Sequence, residues 1–345
     1  MAPENAQFLS VGIDFGGTNL RIAVYTPETE ILSSIAMPTR LEAGPMAVID
    51  DMCNAVKQLL ELHGEGREFV GVGVGSPGPL ELPAGRLHAP PNLPGWDGFN
   101  LLEEMTKRLH VPILIEGDAN VAALAEFVLG SGRSKGVDSL CMLTLGTGVG
   151  SGLILDGKLW HGATGMGGEA GHITIDPDGP LCGCGNHGCL EALASATALT
   201  NYAEKLIAEG KADGLQRLKS EQGSLSAFDI AQAAQQGDEG ALAVYAKTGR
   251  ALGIGIADLI NILNLPLYVI GGGVVNSWDL LAPHIFAEIE SRSYVYALTA
   301  PGRAAASGVS CGGTLVLPAE LGSDAGLLGA CILPLHGLKS RRASA

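Results

Sequence analysis

Leu9-Ser10-Val11-Gly12-Ile13-Asp14-Phe15-Gly16-Gly17-Thr18-Asn19-Leu20-Arg21-Ile22-Ala23-Val24-Tyr25 reads as two β-rich runs flanking a tight Gly16-Gly17-Thr18 turn. Branched and aromatic residues fill both arms and glycines occupy the reversal, the pattern of a β-hairpin. Such a turn lets backbone N–H groups approach an anion closely. Asp14, ending the first strand, is placed to face a magnesium ion directly or through water. Taken alone, the segment fits an ordinary Gly-Gly hairpin as well as a phosphate loop. It is not a Walker A loop, because no Gly-Lys-Ser/Thr follows, and it lacks the G-x-G-x-x-G spacing of a dinucleotide turn.

The pattern recurs at Leu140-Cys141-Met142-Leu143-Thr144-Leu145-Gly146-Thr147-Gly148-Val149-Gly150-Ser151-Gly152-Leu153-Ile154-Leu155, which then turns at Asp156-Gly157. Two strand–turn–strand units, one opening each half of the chain, predict a duplicated α/β architecture whose phosphate loops face each other across a cleft. The expected division is a smaller α/β domain over 1–118 and a larger α/β domain over 119–317 that carries the cysteine-rich loop. A C-terminal helix over about 318–345, with its clearest pattern at 324–333, is expected to pack back onto the first half.

Between the two units the chain predicts a helix over 45–63, a strand over 69–75 and a Pro- and Gly-rich loop over 76–98 with little periodicity. A loop of that length points to a functional segment or to disorder. Asn92 and Trp96 within it offer an amide and an aromatic face suited to a sugar, although Trp96 is read first as a packing residue. A strand over 111–116 then leads into Gly117-Asp118-Ala119-Asn120. Asp118 is expected at a helix N-cap, where a carboxylate accepts a backbone N–H. The carboxyl end of a parallel strand is also where open α/β sheets place ligand chemistry, and a carboxylate there can take a proton from a substrate hydroxyl. Helical spacing returns over 195–210, 226–263 and 279–290. The strand over 267–270 runs into Gly271-Gly272-Gly273, a turn that can lie against adenine or ribose without side-chain obstruction.

The densest chemistry lies in Glu169-Ala170-Gly171-His172 and Cys182-Gly183-Cys184-Gly185-Asn186-His187-Gly188-Cys189-Leu190-Glu191. Thiolates and imidazole suit zinc, and Cys182, Cys184 and Cys189 with His172 supply four ligands for a closed tetrahedral site. His187 competes for the fourth position. His172 is preferred because Glu169 stands one turn before it, leaving the second ring nitrogen for a substrate hydroxyl. Four protein ligands leave no open position for water, so the ion is expected to order the loop rather than activate a nucleophile. Glu169 and Glu191, which bracket the cluster, can each accept hydroxyl protons from a polyol.

With 345 residues, the chain is long enough for about two domains and a large core without disulfides. A formal charge of -15 argues against a surface that tracks nucleic-acid phosphates. The basic cluster Lys339-Ser340-Arg341-Arg342 is read as a solvated end. The first twenty residues contain Glu4 and Asp14 and lack a cationic start with an apolar run, so no secretory signal is expected. The apolar stretch 253–271 is broken by Asp258, Asn261, Asn264 and Pro266, so no membrane span is expected either. Seven cysteines, three of them clustered, fit a reduced cytoplasmic setting with a metal site.

The loops around Asp14 to Asn19 and Leu145 to Gly148, Asp118-Ala119-Asn120, the Glu169 to His172 motif, the cysteine cluster and Gly271 to Gly273 together resemble sugar kinases of the ROK family, in the pattern of bacterial ATP-dependent glucokinases. The resemblance covers nearly the whole chain, and the cysteine cluster is its most specific part. It implies an actin-like, ribonuclease-H-like two-domain fold closing over hexose and MgATP, assembled as a homodimer or homotetramer. It also implies Asp118 as catalytic base, sugar ligands at Glu169, His172 and Glu191, and structural zinc on His172, Cys182, Cys184 and Cys189; Asn92, read from its own loop, and Gly117, beside the base, complete the candidate sugar contacts. The nucleotide loops would be Asp14, Gly16, Gly17, Thr18 and Asn19, with Gly146, Thr147 and Gly148, and Gly271, Gly272 and Gly273. One departure stands out. Gly117 occupies the position where similar kinases carry an asparagine whose amide contacts sugar hydroxyls, so a kinase for N-acetylmannosamine, fructose or allose is the alternative. A sugar-responsive ROK regulator is less favoured, because the first loop strand begins near residue 8 and leaves no room before it for a DNA reader.

Overall fold

A computed structural model describes residues 7–303 and 313–343. β1 (Phe8–Phe15) and β2 (Asn19–Thr26) form the expected hairpin, with Phe15 opposite Leu20 and Asp14 opposite Arg21. β3 (Glu30–Pro38) and β4 (Glu68–Ser76) follow. The 76–98 loop then holds a small hairpin of β5 (Leu80–Glu81) and β6 (Arg86–Leu87), so it is more ordered than its composition suggests. β7 (Ile113–Gly117) completes a sheet of order β3-β2-β1-β4-β7. β1 is buried along most of its length because it lies centrally, antiparallel to β2 and parallel to β4.

One face of this sheet packs on the helix Pro45–His63, where Val48, Met52 and Val56 meet Val11, Ile13 and Val72 in one apolar cluster. The C-terminal helix Ala325–Ala343 packs on the same sheet along β1 and β4. Its backbone comes so close that a Cβ on Gly73 would collide with the Ala330 carbonyl oxygen. Lys339 to Arg342 fall in the last turns of that helix, and their side chains lie outside the described residues. Trp96 is fully buried, its ring centroid 5.0 Å from Phe15 and 4.9 Å from Phe99. It is a packing residue, whereas Asn92 remains exposed.

The second sheet has the order β10-β9-β8-β11-β12, built from β8 (Leu140–Leu145), β9 (Val149–Leu155), β10 (Lys158–Leu159), β11 (Leu267–Gly271) and β12 (Leu315–Pro318). Like the first, it joins a glycine-turned strand pair to parallel strands, β8 with β11 and β11 with β12. The long helix Glu239–Leu263 is capped by Asp238, whose carboxylate accepts Ala241 N. It packs on the helix Trp278–Arg292, bringing Gly249 against Leu281 and Gly253 against Ile285.

Helices Ala196–Ala208 and Ala227–Gln235 fall where periodicity places them. The helical run over 226–263 is not continuous, however: it breaks between Gln235 and Glu239, where Gly237 takes a φ of +86. A further helix, Asp213–Gln222, carries little periodic signal because Leu215 is its one buried side chain.

The chain divides into two compact units, Met1–Gly136 with Gly152–Gly168 and Ser323–Ala345, and Val137–Ser151 with Glu169–Gly322. The helix that begins at Asp118 therefore belongs to the first unit rather than opening the second. Its Val121 packs so tightly that a Cβ on Gly75 would stand 2.6 Å from Val121 Cγ2. Among the described residues, no helix is long and apolar enough to cross a membrane.

Candidate active site

The first loop is closed by Gly16 N donating to Asn19 O at 3.0 Å, while Thr39 donates its hydroxyl to Gly16 O at 2.7 Å. Asp14, Gly16, Gly17, Thr18, Asn19, Arg21 and Ala36 line a cavity of about 480 Å³. Arg21 grips Asp14 Oδ2 through Nε at 3.0 Å and Nη2 at 2.7 Å, and reaches Asp324 and the Ser323 carbonyl as well. Motif reading passes over Arg21. Its signal is the hairpin register, which sets opposite charges directly across from each other.

The second loop closes one residue sooner, with Gly146 N donating to Gly148 O at 3.0 Å. It is backed by the start of the helix Ala196–Ala208, with Ala196 N donating to Gly146 O and the Thr197 hydroxyl donating to Thr147 O. At the end of β11, Gly272 has φ +91, and a Cβ there would collide with the Leu145 carbonyl. Glycine is required at that turn. Gly273, by contrast, faces open space.

Asp118 is exposed and is the first residue of the helix Asp118–Val128, so the N-cap is Gly117, one residue earlier than expected. The cause is local: Gly117 keeps the extended backbone of the strand, with φ -63 and ψ 144. The Asp118 carboxylate accepts the Ala119 N–H at 2.7 Å. Beside it, Glu116 is 4% exposed and accepts Gly117 N at 3.0 Å and Asn120 Nδ2 at 2.9 Å, and its other oxygen lies 2.6 Å from His161 Nε2. That hydrogen bond raises the His161 imidazole above its ordinary value, against the lowering effect of burial. No sequence motif marks Glu116 or His161, because 45 positions separate them.

In the second unit, Glu169 is exposed and precedes a short 3-10 turn, Ala170–His172, which is pinned by Ser151 Oγ accepting Ala170 N. His172, Cys182, Cys184 and Cys189 bring one ligand atom each within 4.8 Å of one another. Cys182 Sγ lies 3.7 Å from His172 Nδ1, and Cys184 Sγ lies 3.7 Å from Cys189 Sγ. Zinc–sulfur bonds of about 2.3 Å at tetrahedral angles put neighbouring ligands roughly 3.5 to 3.8 Å apart, so the set fits zinc. His187 is exposed, points Nδ1 at Gly179 O at 3.2 Å and is not part of the group. Glu191 accepts Val149 N through Oε2 at 2.9 Å, and its Oε1 lies 3.6 Å from Cys182 Sγ.

Two sheets, each opening on a glycine-turned strand pair, define the actin-like class of two-domain α/β proteins. Within that class the chain belongs to the ROK family, which residues 10–336 match. It is 36% identical over 321 residues to a glucokinase of Halalkalibacterium halodurans, covering 92% of each chain. A ROK hexokinase from Thermus thermophilus is similar in structure, with TM-score 0.76, 30% identity and coverage of 96% of this chain and 99% of that one. A ROK family glucokinase from Streptomyces griseus, in complex with glucose and AMPPNP, gives TM-score 0.73 and 31% identity over 94% of this chain and 98% of that one.

Proposed function

We propose that this chain transfers the terminal phosphoryl group of MgATP to a primary hydroxyl of an aldohexose, with the 6-OH of glucose as first candidate. The observation that carries the reading is Asp118, exposed on the first residue of a helix at the carboxyl end of a parallel strand. Full-length similarity to hexokinases and glucokinases supports it.

Asp118 accepts the proton of the sugar hydroxyl. The hydroxyl oxygen bonds to the γ-phosphorus, the bond to the β–γ bridging oxygen breaks, and ADP leaves. The backbone N–H groups of Gly16 to Asn19 and Gly146 to Gly148 orient the phosphates, and Gly271 to Gly273 lies along the nucleoside. Asp14, whose Oδ2 is taken by Arg21, would offer its other oxygen to magnesium, directly or through water. When bound, that ion spreads the charge developing on the transferred group. Catalysis then rests on positioning and electrostatics.

Glu169, His172 and Glu191 are assigned to the sugar hydroxyls, together with Asn92 and the backbone at Gly117. His172 would hold structural zinc through Nδ1, with Cys182, Cys184 and Cys189, and turn Nε2 toward the sugar. A cytoplasmic homodimer or homotetramer acting on hexose and ATP is the setting proposed. Gly117, which lacks an amide side chain, favours a second reading in which N-acetylmannosamine, fructose or allose is the better acceptor. A coupled ADP-release assay over a hexose and amino-sugar panel tests both. Glucose ranking first supports the main reading; another sugar ahead by a large factor replaces the substrate, and no turnover on any sugar overturns the kinase assignment.

A further inference from the structure

Glu116 is a buried carboxylate in the first unit that the reaction above does not use. A charge in such a place persists only when it is paired and hydrogen-bonded. Three donors address it: Gly117 N at 3.0 Å, Asn120 Nδ2 at 2.9 Å and His161 Nε2 at 2.6 Å. A carboxylate only accepts, so the imidazole nitrogen is the donor. Gly117 and Asn120 flank Asp118, which means that one carboxylate holds both ends of the turn carrying the proposed base. His161 reaches it from the segment after β10, where Gly167 N closes back on His161 O at 2.8 Å.

We propose that Glu116 and His161 form a positioning pair for Asp118. Glu116 holds the 117–120 turn, and His161 holds the second oxygen of Glu116, so the Asp118 carboxylate keeps one orientation. The inference rests on the kinase reading. Neither residue needs to touch substrate, and the effect belongs in kcat because orientation matters most in the transition state.

The test is steady-state kinetics on the full chain, wild type against His161→Ala, His161→Gln and Glu116→Gln, with a melting curve for each. His161→Ala is expected to lower kcat about tenfold, with KM for ATP within about twofold of wild type. His161→Gln, whose amide N–H can reach the same oxygen, is expected to recover most of that loss. Glu116→Gln keeps an oxygen for Gly117 N and Asn120 Nδ2 but turns an amide N–H toward His161 Nε2 in place of the acceptor, and is expected to lose about as much as His161→Ala. If His161→Ala does not fold, His161→Asn, too short to reach Glu116, is read in its place by the same criteria. A folded variant with kcat unchanged, a rise in KM alone, or no recovery in His161→Gln overturns the positioning role and leaves the kinase reading standing. Absence of turnover in the wild type overturns both.

Discussion

Gly148 stands directly against Glu191: a Cβ on the glycine would collide with Oε2 of the glutamate, the same oxygen that accepts the Val149 N–H. The second glycine loop and the last residue of the cysteine segment are therefore built against each other. Gly148→Ala is expected to push the Glu191 carboxylate aside and leave Val149 N without its acceptor, a loss of about 1 to 3 kcal/mol where the group stays buried. Thermal melting and kcat/KM for the sugar check it, and wild-type values in both would refute the coupling.

Asp118→Asn removes the proposed base while keeping an oxygen for Ala119 N. Turnover is expected to fall roughly 10²-fold or more with the fold intact. Near-normal turnover in a coupled ADP assay removes Asp118 from the role.

The four-ligand group is expected to hold about one zinc per chain, measured by elemental analysis of protein purified without chelator. Cys184 is the exposed member of the cysteine set. Cys184→Ser should lower both metal content and melting temperature, while His187→Ala should leave the metal content unchanged.

His161 has a folded pKa raised above its ordinary 6.5 by the Glu116 hydrogen bond. A raised folded value means that the folded state binds the proton more tightly than the unfolded chain. The stabilisation is therefore full below pH 6.5 and is lost as pH rises through the raised folded value. The difference in melting temperature between wild type and His161→Gln should shrink across that window. A difference that grows toward alkaline pH contradicts the assignment.

Gly73 meets the C-terminal helix at its Ala330 carbonyl, and backbone cannot step aside as a flexible side chain can. Gly73→Ala is expected to cost about 1 to 3 kcal/mol through overpacking. Urea denaturation measures it, and a midpoint equal to that of wild type contradicts the close approach.

Local pattern made much of this protein legible. Apolar, β-forming runs on either side of Gly16-Gly17-Thr18 and Gly146-Thr147-Gly148 encode the two hairpins, because strands covered on both faces are apolar almost throughout and a reversal demands small residues. The three cysteines lie close enough in sequence for their spacing to mark a candidate metal site. Side-chain type and near-neighbour spacing were sufficient for these features, and for the identity of Asp118 as a candidate base.

Tertiary packing decided the rest. It chose His172 over His187 for the cysteine group, buried Trp96 between Phe15 and Phe99, and joined Glu116 to His161. It also set Gly117 as the cap and Asp118 as the first helical residue. None of these follows from periodicity, since periodicity records which face of an element is buried and not which distant residue meets it. Burial of a carboxylate such as Glu116 becomes tolerable only when its partners arrive from other elements, and that arrival is a property of the folded chain.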